Sequence, residues 1–260
     1  MLTGDRFISL EDLVERVIGA LWCREPFGLA RWGDGENYIL ATGHHAERRR
    51  VRYEGNWLSL DCWPAFLDGF RNGVAAADVL GLWPNDEAAE HLIEQHGMAL
   101  EGKSLVYAWC NRHWNARREW ADRVLGRPWR TALIGNRMAE YAGWLAGQFP
   151  LNVIFTAPVS DWPDVPLIAA KLQRLRPELV LVSAGWFAPV LVAGGKAAGA
   201  VALDYGHCAD YHLAGQMLPN TCCPRGAAGC DAHYAHGNYA DAIPQERAIR
   251  LPRGKVRCES

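Results

Sequence analysis

Hydrophobic positions change period several times along the chain. Leu10, Leu13, Val14, Val17, Ile18 and Leu21 recur at intervals of three and four residues, the spacing of one helix face. Ser9 and Asp12 open that run with capping-box spacing, Asp12 standing where Glu or Gln is usual. The apolar stretch 27–32 predicts a strand, and the segment from Glu36 a short helix; residues 60–72 read as helix and 77–83 as strand. From there the two periods alternate: helix 85–97, strand 103–109, helix 115–125, strand 130–134, helix 136–148, strand 151–156, helix 164–175, strand 178–184, helix 187–198, strand 199–206. This order predicts βαβ units and hence an α/β fold, a Rossmann-like and mostly parallel sheet with helices on both faces. After Tyr211 the periodicity stops. Residues 1–213 are expected to form one domain, and the Cys-rich tail 214–260 an irregular C-terminal extension packed on it.

Ligands of open parallel sheets bind beyond the carboxyl ends of the strands. That rule selects WGDGE (32–36), CNRHW (110–114), GNR (135–137), APVSDW (157–162), SAGWFAP (183–189) and DYGHCADY (204–211), segments rich in Gly, Asn, Arg, Asp and His.

Composition narrows the picture further. The 260 residues are half hydrophobic, enough for a full core, and the net charge of −2 gives no pull toward nucleic acid or anionic lipid. Of the 27 basic residues only Lys103, Lys171, Lys196 and Lys255 are lysines, a bias that genome base composition explains as well as phosphate binding does. No signal peptide and no apolar run near the ~20 residues of a membrane span is legible, so a cytoplasmic protein is expected. Its eight cysteines then read as thiols or metal ligands rather than disulfides.

The sharpest local feature is Gly33-Asp34-Gly35-Glu36. On an extended segment both carboxylates face one way, and hard oxygen ligands suit Mg²⁺ or Mn²⁺ together with substrate phosphates. At a helix start the same acids would instead favour the dipole.

Arg31-Trp32-Gly33-Asp34-Gly35-Glu36, followed by an apolar helix start, resembles the RFGDGE signature of the GT-D-fold glycosyltransferases. These are bacterial enzymes that use a nucleotide-sugar donor and a divalent cation through a DxE motif. The far end, LVLVSAGWFAPVLVAGGKAAGAVALDYGHCADYHL (179–213), is similar to that family's closing segment. Asp204, Gly206, His207, Asp210 and Tyr211 fall on its DxGH and DxxY-like positions. The resemblance covers roughly residues 25–213, with strong motifs only at its two ends. In the middle, Arg112 and Arg137 are the only counterparts of the family's arginine-bearing elements, and the tail has none.

The resemblance implies metal-dependent transfer of a sugar from a nucleotide donor, UDP-glucose or similar, to the hydroxyl of a glycan, glycoprotein or other acceptor. Asp34 and Glu36 are then the metal ligands. Arg31, Arg112 and Arg137 are candidates for the diphosphate, with a structural ion pair as the other reading of Arg31. Asp34, Asp161, Asp204 and His207 are possible bases, and the sequence does not choose among them. Gly33, Gly35, Ser183 and Gly185 would bring backbone N–H groups to the donor. Trp186 and Phe187 would stack on its base or sugar, unless they pack a helix. In the tail, Cys222, Cys223, Cys230, His233 and His236 have ligand types suited to Zn²⁺ without the paired spacing of strong zinc motifs, and metal-free thiols are expected. A homo-oligomer is compatible with all this. Two other readings stay open: a nucleotide- or SAM-dependent transferase, disfavoured by the lack of a G-x-G-x-x-G fingerprint, and a non-catalytic saccharide- or partner-binding module.

Overall fold

A computed structural model describes residues 7–42, 50–53, 56–84, 86–111 and 120–213. Arg112 and the tail cysteines and histidines lie outside the described residues, as does the side chain of Asp34.

Seven strands form one sheet: β1 (Phe27–Arg31), β4 (Val79–Leu82), β5 (Ser104–Tyr107), β6 (Arg130–Gly135), β7 (Asn152–Ala157), β8 (Leu179–Ser183) and β9 (Val201–Asp204). Their order is β5-β4-β1-β9-β8-β6-β7, and every neighbouring pair is parallel. The inner strands are short, apolar and buried on both faces, as a parallel sheet demands, while the edge strand β7 is only half-buried. Successive residues feed opposite cores: Leu29, Leu181 and Leu203 pack on one face, and Ala30, Val180 and Val182 on the other.

The first face is covered by α1 (Leu10–Cys23), the turn 121–125, α5 (Met138–Ala146) and α8 (Cys208–Leu213). The second carries α2 (Asp34–Thr42), α3 (Trp63–Ala76), α4 (Glu87–Gln95), α6 (Asp164–Leu175) and α7 (Ala188–Ala197). Ser9 caps α1 as the spacing predicts, its hydroxyl accepting from Asp12 N at 3.0 Å.

Two elements were not legible in the sequence. A hairpin of β2 (Arg50–Tyr53) and β3 (Asn56–Ser59) follows α2 and is tied across the sheet's carboxyl edge by Trp57 N to Ser160 O at 2.7 Å. Helix α8 continues directly from the DYGH turn. Among the described residues, no helix is long and apolar enough to cross a membrane.

The order places β9, last of the strands in sequence, at the centre beside β1. The chain leaves β1 into α2 on one face and leaves β9 into α8 on the other. A crevice must open where adjacent strands diverge in this way.

Candidate functional site at the divergence of β1 and β9

Arg31 ends β1, and its side chain crosses the carboxyl edge of the sheet. Nη2 donates to Asp204 Oδ1 at 2.9 Å, Nε to the Asp204 carbonyl at 3.2 Å, and Nη1 to both the Ala108 carbonyl and Asn111 Oδ1 at 3.0 Å. Four of its five N–H groups are thereby used on β9 and on the segment after β5. Burial opposes the guanidinium charge, but Asp204 more than offsets this and raises its pKa above the ordinary arginine value. The Asp204 side chain is only 5% exposed and takes a second hydrogen bond from Gly206 N at 3.0 Å. Gly206 has φ +52°, and a Cβ there would lie 2.1 Å from Arg31 Nη2. Only glycine leaves room for the clamp. The structural ion-pair reading of Arg31 is realised, and the guanidinium is committed to protein partners rather than held open for a phosphate.

Glu36 is the second buried carboxylate. The Gly33 carbonyl accepts the first bond of α2 from Asn37 N, and Glu36 Oε2 reaches back to Gly33 N at 2.8 Å. This is the carboxylate half of a capping box. Burial first, then the Asp204 charge, push the Glu36 pKa up to about 7, against the pull of its backbone N–H partners and Arg31.

Around these groups lies a cavity of about 460 Å³, a size that suits a cofactor or a nucleotide-sized ligand. Its floor includes Arg31, Glu36 and Asp204, with Gly33 and Gly35 at the start of α2. On the β4–β5 side stand Trp83 and Trp109, edge-to-face at 4.7 Å. On the β8 side are Ser183, Gly185 and Asn56 of the hairpin. The rim toward β6 carries Asn136, Arg137, His207 and Asp210. There His207 Nδ1 is 3.1 Å from Asp210 Oδ2, and Arg137 Nη1 donates to Asp210 Oδ1 at 3.2 Å. Asp210 is held below the usual carboxylate range by its hydrogen bond with His207 and by Arg137, despite partial burial. Arg137 also forks onto Glu140.

The two ends of the sequence motif thus meet in one wall: Gly33, Gly35 and Glu36 from the first loop, and Asp204, Gly206 and His207 from the last. Ser183, Gly185 and Arg137 join them. Trp186 does not. Its ring is 1% exposed and packs with Phe187 in the core beneath α7, because the turn 185–187 points these rings back at the sheet. Among the described residues, the aromatic side chains that line the cavity are Trp32, Trp83 and Trp109 instead. Asp161 lies outside the cavity lining and accepts from Trp162 N.

Trp83, Trp109 and Asn56 were not among the expected site residues, and Asn111 was included only within the selected stretch 110–114. The tryptophans stand one and two residues past β4 and β5, so the strand-end rule, applied with the true strand limits, points to them. Asn56 carried no comparable signal.

A buried relay lies behind the wall. Tyr141 OH is 3.1 Å from Tyr205 OH and 2.7 Å from His212 Nδ1, and the His212 ring stacks on Trp144. Burial lowers the His212 pKa to about 4. A depressed histidine contributes stability that is complete above its unfolded value near 6.5 and is lost as pH falls toward 4. We expect the wild type to lose about 1–3 kcal/mol across that window, and His212→Gln to flatten the slope. Urea melts at several pH values measure both, and equal slopes would remove His212 as the cause.

The family model that matches the chain is GT-D-like, a GT-D fold-like domain, over residues 8–212. No curated protein and no solved structure matches it.

Proposed function

Since the chain belongs to the GT-D-like family, we propose that it is a glycosyltransferase that moves a sugar from a nucleoside diphosphate donor, UDP-sugar first among them, to an acceptor hydroxyl. The observation that carries this reading is the meeting of the two motif loops around one cavity, across the Arg31–Asp204 clamp.

A divalent cation, Mn²⁺ or Mg²⁺, fits the donor set. Glu36 places a buried carboxylate on the cavity floor, its proton affinity raised by burial and then by the Asp204 charge, an effect that a bound cation would oppose. Asp34 and Glu36, the two carboxylates of the opening loop, would hold the ion together with the substrate phosphates. When bound, it supplies Lewis-acid neutralisation of the departing diphosphate.

The chain's own groups do the rest. The first-turn amides of α2 beside Gly33 and Gly35 meet the phosphates. Trp83 and Trp109 offer aromatic surface to the base. Of the possible bases, Asp204 is engaged by Arg31 and Gly206, and Asp161 stands outside the cavity. His207 is 56% exposed at the rim. Its Nδ1 lies 3.1 Å from Asp210 Oδ2, a contact that would orient the imidazole for general-base work on the acceptor hydroxyl. The acceptor hydroxyl then arrives from the β6 side.

The test is a screen of nucleotide sugars with Mn²⁺, reading bound ligand and released nucleoside diphosphate. His207→Asn is expected to lower kcat by about 10²–10⁴-fold while leaving nucleotide affinity unchanged. An unchanged kcat would place the base elsewhere. Binding of S-adenosylmethionine without any sugar-nucleotide turnover would overturn the transferase reading itself.

A further inference from the structure

We infer that Asn56 and Ser183 form a subsite that reads hydroxyl groups on the sugar of the donor; this rests on the glycosyltransferase reading above. Both residues line the cavity at the end of β8, opposite the tryptophans. Among the described residues, Asn56 Oδ1 and Ser183 Oγ are buried polar atoms with no hydrogen-bond partner. Asn56 is 5% exposed. A buried acceptor left unmatched costs free energy, so native structures rarely keep one that a ligand or water does not satisfy.

The orientation of the Asn56 amide is fixed by its surroundings. Nδ2 donates to the Ala184 carbonyl at 3.2 Å, and exchanging the two ends would set two acceptors against each other. Gly185, at φ +53°, admits the amide in this position, since a Cβ there would lie 2.3 Å from Nδ2. The free end is therefore the carbonyl oxygen, an acceptor. Ser183 beside it offers one O–H and its lone pairs.

That pairing selects among the parts of a donor. A phosphate brings only acceptor oxygens, which Asn56 Oδ1 repels. A flat apolar ring finds better contact at Trp83 and Trp109. A sugar hydroxyl both donates and accepts, so neighbouring hydroxyls can give a hydrogen bond to Asn56 Oδ1 and exchange one with Ser183 Oγ. A site built to meet a hydroxyl discriminates strongly against analogues that cannot fill it. The hairpin's function in this scheme is to carry Asn56 over the end of β8, where its Trp57–Ser160 backbone bond anchors it.

The test is calorimetric titration of wild type, Asn56→Ala and Ser183→Ala with UDP and with UDP-glucose, in Mn²⁺. Each variant is expected to bind UDP as wild type does and UDP-glucose about tenfold more weakly, the loss of roughly one hydrogen bond. Ser183→Ala leaves the Asn56–Ala184 tie in place, so a loosened hairpin in the other variant cannot produce both results. Equal weakening toward both ligands would overturn the proposal and assign the pair to the base or to structure, and unchanged UDP-glucose binding would overturn it outright. A wild type that binds neither ligand would instead overturn the functional reading on which it stands.

Discussion

Arg31→Met is expected to lose about 3–5 kcal/mol of folding stability, because it strands the Asp204 carboxylate, 5% exposed, without its cation. The methionine fills much of the space but returns none of the four hydrogen bonds that join the carboxyl ends of β1, β9 and the segment after β5. In a chain of this size such a loss lowers Tm by roughly 10 °C or more. The double variant Arg31→Met, Asp204→Asn is expected to recover a large part of it, since the remaining partner is then neutral and the two sites are directly coupled. Arg31→Lys is not a rescue: one ammonium cannot reach carboxylate, side-chain amide and two carbonyls in a planar fork. Thermal and urea melts on the three proteins decide the matter. Were Arg31→Met to melt with wild type and merely lose nucleotide affinity, the guanidinium would be a ligand group and the clamp an incidental contact.

The second large effect concerns the opening loop. Asp34→Asn and Glu36→Gln should each abolish most metal-dependent turnover, since a bound cation supplies several kcal/mol at the transition state and ~1.4 kcal/mol is tenfold in rate. Glu36→Gln has a further, opposite consequence. A carboxyl whose folded pKa is raised to about 7 contributes stability that is complete below its unfolded value near 4.5 and is lost as pH rises through 7. Glutamine keeps an acceptor for Gly33 N without that ionisation. At pH 8 and without metal, the variant should therefore be the more stable protein, by up to about 3 kcal/mol, with the gap closing near pH 5. Added Mn²⁺ should stabilise wild type and not the variant. A Glu36→Gln protein that turns over normally would confine Glu36 to its helix-capping role.

Most of the architecture was legible because parallel strands buried on two faces leave a strong signal. VLGL, SLVY and LVLVS are short apolar blocks set between amphipathic helices, and limits missed by a residue or two did not change their order. The hairpin escaped because a strand of four residues carries only two alternations, too few to register. The lining of the cavity was legible at the two ends of the domain, where Gly, Asp, Glu and His stand together at strand termini. It was less so for Arg31 and Trp186. Sequence gives an arginine's charge but not its partners, and Asp204 lies 173 residues away. Trp186 occupies a loop selected correctly, yet the direction of a side chain on a short turn depends on the packing beneath it. Asn56 had the opposite fate: an unremarkable residue becomes notable only once its amide is seen to be held at one end and bare at the other.

The position of β9 also shapes how this protein is made. On a ribosome the chain emerges from its N-terminus, so β1, β4 and β5 are exposed long before the strand that separates β1 from β8 exists. Until residues 201–204 leave the exit tunnel, the inner edge of β1 presents unpaired backbone groups of the kind that recruit other strands. Closing the sheet then requires contacts between residues as distant as Phe27 and Val201, a slow search that local helix formation cannot shorten. The cavity shares this timing, since its lining draws on residue 31 and on residue 204 alike. A nascent chain therefore lacks a complete cavity until residue 204 has emerged, and its unpaired edge is open to aggregation until then.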